Sequence, residues 1–240
     1  MNQKIIIIGA SSGIGRVLAE TYAQQGNRVG ITGRRRELLE EIQRTYPGQI
    51  YYRCFDVTGS ENIPQLRFLV TELGGLDLLI ISAGTGEPAE ELKWSIDKAI
   101  VDTNINGFVE VANYTFNFFV SQGQGQLAVI SSVAANRGSS YAPAYAASKA
   151  FQSIYAEGLA IKARKLKKPV FITCIEPGFV KTKMAHGGDR MFWMVPVEKA
   201  ARQIIHAIER KKRKVYISRR WQIVVFLMRW VPFWVYRRFG

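Results

Sequence analysis

Ile5-Ile6-Ile7-Ile8-Gly9-Ala10-Ser11-Ser12-Gly13-Ile14-Gly15 stands almost at the start of the chain and decides its architecture. Four consecutive isoleucines running into glycine predict a short strand buried on both faces, not one alternating between core and water. The glycines then predict a tight turn into a helix, where backbone amides approach an anion and the helix N-terminus meets its charge. The spacing Gly9-x-x-x-Gly13-x-Gly15 departs from G-x-G-x-x-G but answers the same need. Gly9, Ser11, Ser12, Gly13, Ile14 and Gly15 are therefore candidate contacts for a dinucleotide pyrophosphate. The alternative is a glycine turn that merely lets a helix pack on a strand.

Outward from this unit, short apolar runs alternate with amphipathic stretches. Strands are expected at 4–8, 28–32, 50–55, 76–81, 126–131, 170–175 and 214–217, and helices at 14–25, 35–46, 63–73, 105–120, 143–166 and 197–210. That order predicts an α/β fold: a Rossmann-type, doubly wound parallel sheet of about seven strands flanked by helices. With 240 residues, 48% of them hydrophobic, and no linker or repeat, one large domain is expected over residues 1–217. Residues 218–240 read as a basic, aromatic helical extension. Ligands of such sheets bind beyond the carboxyl ends of the strands, so motifs that follow strands carry the chemistry.

The end of the second expected strand reads Thr32-Gly33-Arg34-Arg35-Arg36, with no acidic residue to hold the ribose hydroxyls of NAD. Guanidinium groups bind a 2′-phosphate bidentately, which favours NADP(H), with NAD(H) the alternative. Arg34 is the best-placed contact and Arg35 the next. The competing reading pairs these arginines with Glu37, Glu40 or Glu41 on an exposed helix.

Tyr145-Ala-Ala-Ser-Lys149 places a phenol and an ammonium one helical turn apart, on the same face. A cation beside a tyrosine favours the phenolate, lowers its pKa from about 10, and makes Tyr145 a candidate general acid/base.

Taken together, Gly9-x-x-x-Gly13-x-Gly15, Asn104, Ser132, Tyr145 and Lys149 resemble, in order and spacing, the short-chain dehydrogenase/reductase family over roughly residues 4–217. Ser132 lies thirteen residues before Tyr145, as that family's catalytic serine does. Asp56-Val57 looks like the family's adenine-contacting pair, and the run from Glu176 to Thr182, with Pro177, Gly178 and Val180, like its segment beside the nicotinamide. Two departures stand out: Ile8 replaces the usual threonine before the first glycine, and Ile81-Ser82 replace two asparagines before Ala83-Gly84. The resemblance implies hydride transfer between nicotinamide and a carbonyl or secondary alcohol, with Tyr145 carrying the proton. It further implies that Lys149 tunes Tyr145 and holds the nicotinamide ribose, that Ser132 bonds the substrate oxygen, and that Asn104 holds a water for proton relay. A non-catalytic NADPH-binding sensor or scaffold, recruited through the basic tail, is the alternative function.

Composition narrows the partners. Cys54 and Cys174 lie in apolar runs and read as reduced thiols; His186 and His206 are too few and too far apart for a metal, and none is expected. No signal-like or membrane-spanning run is seen, so a cytoplasmic protein is expected. The net charge of +14 is concentrated: residues 161–240 hold 20 basic and 4 acidic side chains, against 13 and 15 before them. Between Thr182 and Pro196, paired glycines with Met191, Phe192, Trp193 and Met194 suggest a lid over a bulky hydrophobic substrate, or else core packing. Arg137 and Tyr141 are candidates for polar recognition. The tail from Arg219, where arginines and aromatics mix, suits three roles: a helix at an anionic membrane interface, helped by Lys211, Lys212, Arg213 and Lys214; an oligomer seam; or a flap over the cleft. The first role would place the protein peripherally at the inner face of a membrane. A homo-oligomer, dimer or tetramer, is also expected, and nucleic acid is not.

Overall fold

The computed structural model describes residues 2–87, 91–182 and 193–238. At its centre is a seven-stranded sheet in the order β3-β2-β1-β4-β5-β6-β9, every neighbouring pair parallel. The strands are β1 (Lys4–Ile8), β2 (Arg28–Gly33), β3 (Ile50–Cys54), β4 (Leu78–Ile81), β5 (Gly125–Ile130), β6 (Val170–Pro177) and β9 (Lys214–Ile217). A small parallel pair, β7 (Val180–Lys181) with β8 (Val195–Pro196), follows β6. This is the doubly wound sheet that the alternation of runs predicts.

The isoleucine run shows why it forms. Ile5 and Ile7 enter one half of the core and Ile6 and Ile8 the other, and none of the four has exposed surface. The first half is closed by α1 (Gly13–Gln24), α2 (Arg36–Thr45) and α7 (Val197–Glu209). In α7 the buried residues Ala200, Ala201, Ile204, Ile205 and Ile208 repeat at helical spacing and form one apolar stripe. The second half is closed by α3 (Asn62–Leu73), α5 (Phe108–Gln122) and α6 (Pro143–Lys165), through residues such as Leu66, Phe116 and Leu159. Both faces of the sheet are thus covered, which is why its strands read as unbroken apolar runs.

Strand order reverses at β1, whose neighbours are β2 on one side and β4 on the other. Ile8 stands level with Thr32 on β2 and Ile81 on β4, so the chain leaves all three strands at one edge and opens a crevice there. Gly9 makes this edge possible. Its φ is +83°, and a Cβ on it would lie 2.5 Å from the Ala83 Cα, so only glycine allows the two turns to touch.

Two regions differ from the sequence reading. A single helix starting near Ile105 was expected; instead α4 (Trp94–Val101) leads through a π-helical turn, Asp102–Gly107, directly into α5. The extension forms α8 (Arg220–Trp230) and α9 (Phe233–Tyr236), both folded back on the body. The lid expected before Pro196 falls largely at residues 183–192, outside the described residues; Trp193 and Met194 are exposed. Among the described residues, no helix is long and apolar enough to cross a membrane.

Candidate active site

The site is assembled where β4, β5 and the first turns of α6 meet. Ser132 follows β5 and caps a short 3-10 turn, Val133–Asn136, its Oγ accepting from the Ala134 amide at 3.1 Å. Ser131 ties the strand end to α6 by donating to the Lys149 carbonyl at 2.8 Å. Pro143 opens α6 at a position where a missing N–H does no harm, and the next turns present Tyr145 and Lys149 toward Ser132. Ser132 hydrogen-bonds the Tyr145 phenol. The loop after β4 lies against the tyrosine ring, which leaves no room for a Cβ on Gly86.

Lys149 is buried, and its Nζ donates to the Ile130 carbonyl at 3.1 Å and to Gln152 Oε1 at 2.9 Å. The Gln152 amide nitrogen in turn donates to the main-chain carbonyl of Asn104 at 2.9 Å. Asn104 is fixed inside the π-helical turn, where its side chain bonds both the amide and the carbonyl of Thr85, at 2.8 and 2.7 Å, and the Ser148 hydroxyl at 3.0 Å. Such turns recur at functional sites because they displace a backbone segment locally. Gln152 thus spans from the lysine to the asparagine carbonyl. It escaped the sequence reading, although a polar residue three positions after Lys149 shares its helix face.

Desolvation adds what the spacing alone did not show. Burial pushes the Tyr145 phenol above its ordinary value, and the hydrogen bond from Ser132 only partly offsets this. Lys149 does not reverse the shift: its Nζ stands 5.8 Å from the ring centre and is held by two oxygens. Burial brings Lys149 itself down to about 8. Tyr145 is therefore a neutral phenol at pH 7 beside a lysine that is still mostly charged.

The glycine turn fits an anion. No side chain caps the N-terminus of α1 and no acidic residue occupies its first turn, so the amides of Gly13, Ile14 and Gly15 face outward for a phosphate. Arg35 reaches this turn, donating to Ser11 and Ser12 hydroxyls, each at 2.7 Å. Arg34, ranked above it from the sequence, leans instead on Asp56 at 3.4 Å. Val57 lies beside the π-helical turn, where a Cβ on Gly107 would meet its carbonyl oxygen, and Thr182 lies beside Gly13. Ala83 packs on Gly9, and Gly84 borders both Lys149 Nζ and Asn104 Oδ1. Pro177 ends β6 and Val180 opens β7, while Gly178 turns onto Trp221 of α8. The expected cofactor residues thus line one continuous edge of the sheet.

Arg137 is not available for substrate. It donates to the Met228 carbonyl at 3.1 Å and stacks over the Tyr236 ring, tying α8 and α9 to the loop after Ser132. A half-buried network missed in the sequence runs alongside: the Ser153 hydroxyl lies within hydrogen-bond distance of both Ser131 and Glu176 and gives its single proton to one of them, Asn136 donates to Glu176, and Arg229 of α8 donates to Asn136. Lys214 neutralises Glu176 at 2.6 Å.

Comparison with known proteins places this arrangement. Residues 3–191 match the family model described as short chain dehydrogenase. An uncharacterized oxidoreductase of Mycobacterium tuberculosis is 32% identical over 248 aligned residues, covering 99% of this chain and 97% of that protein. The NADP-dependent 3-hydroxy acid dehydrogenase of Escherichia coli is 29% identical over 73% of this chain and 72% of its own. Among solved structures, ElxO with NADP bound superposes with a TM-score of 0.81 at 21% identity, over 90% of this chain and 97% of that one. A chain that matches the family's model across most of its length, and aligns nearly end to end with an oxidoreductase, belongs to the short chain dehydrogenases.

Proposed function

We propose that the protein is an NADP(H)-dependent reductase that interconverts a carbonyl and a secondary alcohol on a bulky, hydrophobic substrate, with Tyr145 as the general acid/base. One observation carries this reading. A neutral, half-buried phenol is hydrogen-bonded to Ser132 and backed by a mostly charged lysine, at the mouth of a cleft whose other end is an uncapped glycine turn. Binding alone would not require that trio, which argues against the sensor or scaffold alternative.

A bound nicotinamide would supply or accept hydride at the substrate carbon. The chain's own residues do the rest. Ser132 Oγ bonds the substrate oxygen and stabilises the charge that develops there. Tyr145, neutral at pH 7, delivers its proton to that oxygen during reduction, and Lys149 stabilises the phenolate left behind. The Ile130 carbonyl and Gln152 fix the ammonium; the carboxamide of Gln152 has no titrating proton, so it positions Lys149 and does not relay. Support for NADP(H) comes from Arg35 at the glycine turn, from the absence of an acid at the end of β2, and from the cofactor named for the Escherichia coli relative.

The test is a screen of aldehydes, ketones, quinones and 3-ketoacyl thioesters with NADPH, run beside Tyr145→Phe. Turnover should appear with the wild type and fall about a hundredfold or more in the variant, with NADPH binding retained. Wild-type turnover in Tyr145→Phe would defeat the assignment.

A further inference from the structure

The body-facing side of α8 and α9 is committed. Trp221 and Val225 are buried, Trp221 packs edge-on to Phe179 with ring centres 5.4 Å apart, and Tyr236 donates to the Gly138 carbonyl at 2.7 Å. The opposite side carries a patch of large apolar groups in water. Ile223 is 66% exposed, Phe226 61%, Leu227 59%, Trp230 77%, Phe233 75% and Trp234 62%. Residues 223, 226, 227 and 230 share one helical face, and Phe233 and Trp234, exposed as well, follow just past Pro232.

Charge identifies the occupant. Residues 210–240 contain ten Lys or Arg and no Asp or Glu, and Arg219, Arg220, Arg237 and Arg238, all exposed, stand at the two ends of the patch. Lys214 is spent on Glu176 and Arg213 on Glu157, and both lie where β9 begins, whereas α8 follows its end. The cations of the patch are therefore its own arginines, not the lysine run expected from the sequence. Indole rings and aliphatic side chains framed by arginine match the boundary of an anionic bilayer, with apolar groups among acyl chains and guanidinium groups at phosphates.

We propose that this outer face of α8 and α9 is a seat on an anionic lipid surface. Seated there, the loop of residues 136–138 that follows Ser132, and to which both helices are tied, comes close to the bilayer. The proposal adds a partner to the enzyme reading but is measured by partition, so turnover failing and seating failing are separate results.

Flotation of the full chain with vesicles of phosphatidylglycerol and phosphatidylcholine, at low and at molar salt, tests it. The wild type should float at low salt, more weakly with phosphatidylcholine alone and more weakly in molar salt. A variant combining Phe226→Ser, Trp230→Ser and Trp234→Ser should lose flotation about tenfold or more while keeping its melting temperature, since all three side chains are exposed. Arg237→Glu with Arg238→Glu should weaken flotation at low salt without touching the apolar face. A wild type that stays in solution with anionic vesicles at low salt overturns the proposal, as does a triple variant that floats as well as the wild type. A dimer that the triple variant dissociates, without flotation, would assign the face to a second copy instead.

Discussion

Tyr145 and Lys149 share a helix face, and burial acts on both charges in opposite directions along the pH scale. The phenol is raised and the ammonium is lowered to about 8. Reduction needs the phenol protonated and the lysine charged. A lysine with a depressed pKa is charged below it and neutral above it, so the reduction rate should hold level through neutral pH. It should then fall by about tenfold per unit once the pH passes about 8. Gln152 helps hold that charge in place, so Gln152→Leu should move the falling limb to lower pH while leaving NADPH affinity little changed. An unmoved limb in the pH profile of kcat/KM would make Gln152 a packing residue only. At the other end of the cleft, Arg35→Ala should weaken NADPH about tenfold or more and leave NADH nearly unaffected, with a smaller effect from Arg34→Ala. Equal losses for both cofactors, read from initial rates, would mean that Arg35 does not meet the 2′-phosphate. The tyrosine–lysine pair was legible from spacing alone, whereas its electrostatics were not, because desolvation depends on what the fold packs around a side chain.

The elements divide along the same line. Strands such as β1 and β4 were legible because a parallel sheet covered on both faces leaves an unbroken run of Ile and Leu. The π-helical turn at Asp102–Gly107 was not, since it is a shift in backbone hydrogen bonding that leaves the apolar spacing of α5 intact. Nor was the docking of α8: residues of one composition serve membrane, partner or body equally well, and only contacts such as Trp221 on Phe179 separate inner from outer face. The seam between β6 and β9 rests on a buried carboxylate, Glu176, with no exposed surface and an ammonium, Lys214, at 2.6 Å. Lys214→Met would leave that carboxylate inside without its cation, and should destabilise the protein by about 3 kcal/mol, measurable by urea denaturation. A loss near zero would show that the Asn136 and Ser153 donors suffice.

Across the whole molecule, the extension belongs to the fold. Residues 218–240 read from composition as an extension, either part of the same domain or a membrane or oligomer contact; in the fold, α8 buries Trp221 against the turn at Gly178 and carries Arg229 into the Asn136–Glu176 network. A chain ending at Ser218 should therefore melt at least about 5 °C lower than the full chain and lose turnover with it. An unchanged melting temperature by calorimetry would make the extension an appendage. Strand order carries a further consequence, for biosynthesis. The four neighbours β3, β2, β1 and β4 all come from the first 81 residues, and β5, β6 and β9 then add at one side in the order in which they are translated. A nascent chain can therefore pair the strands that carry the glycine turn while Tyr145 and Lys149 are still unmade. Each later strand then meets a template already in place, and no finished pairing has to reopen to admit it.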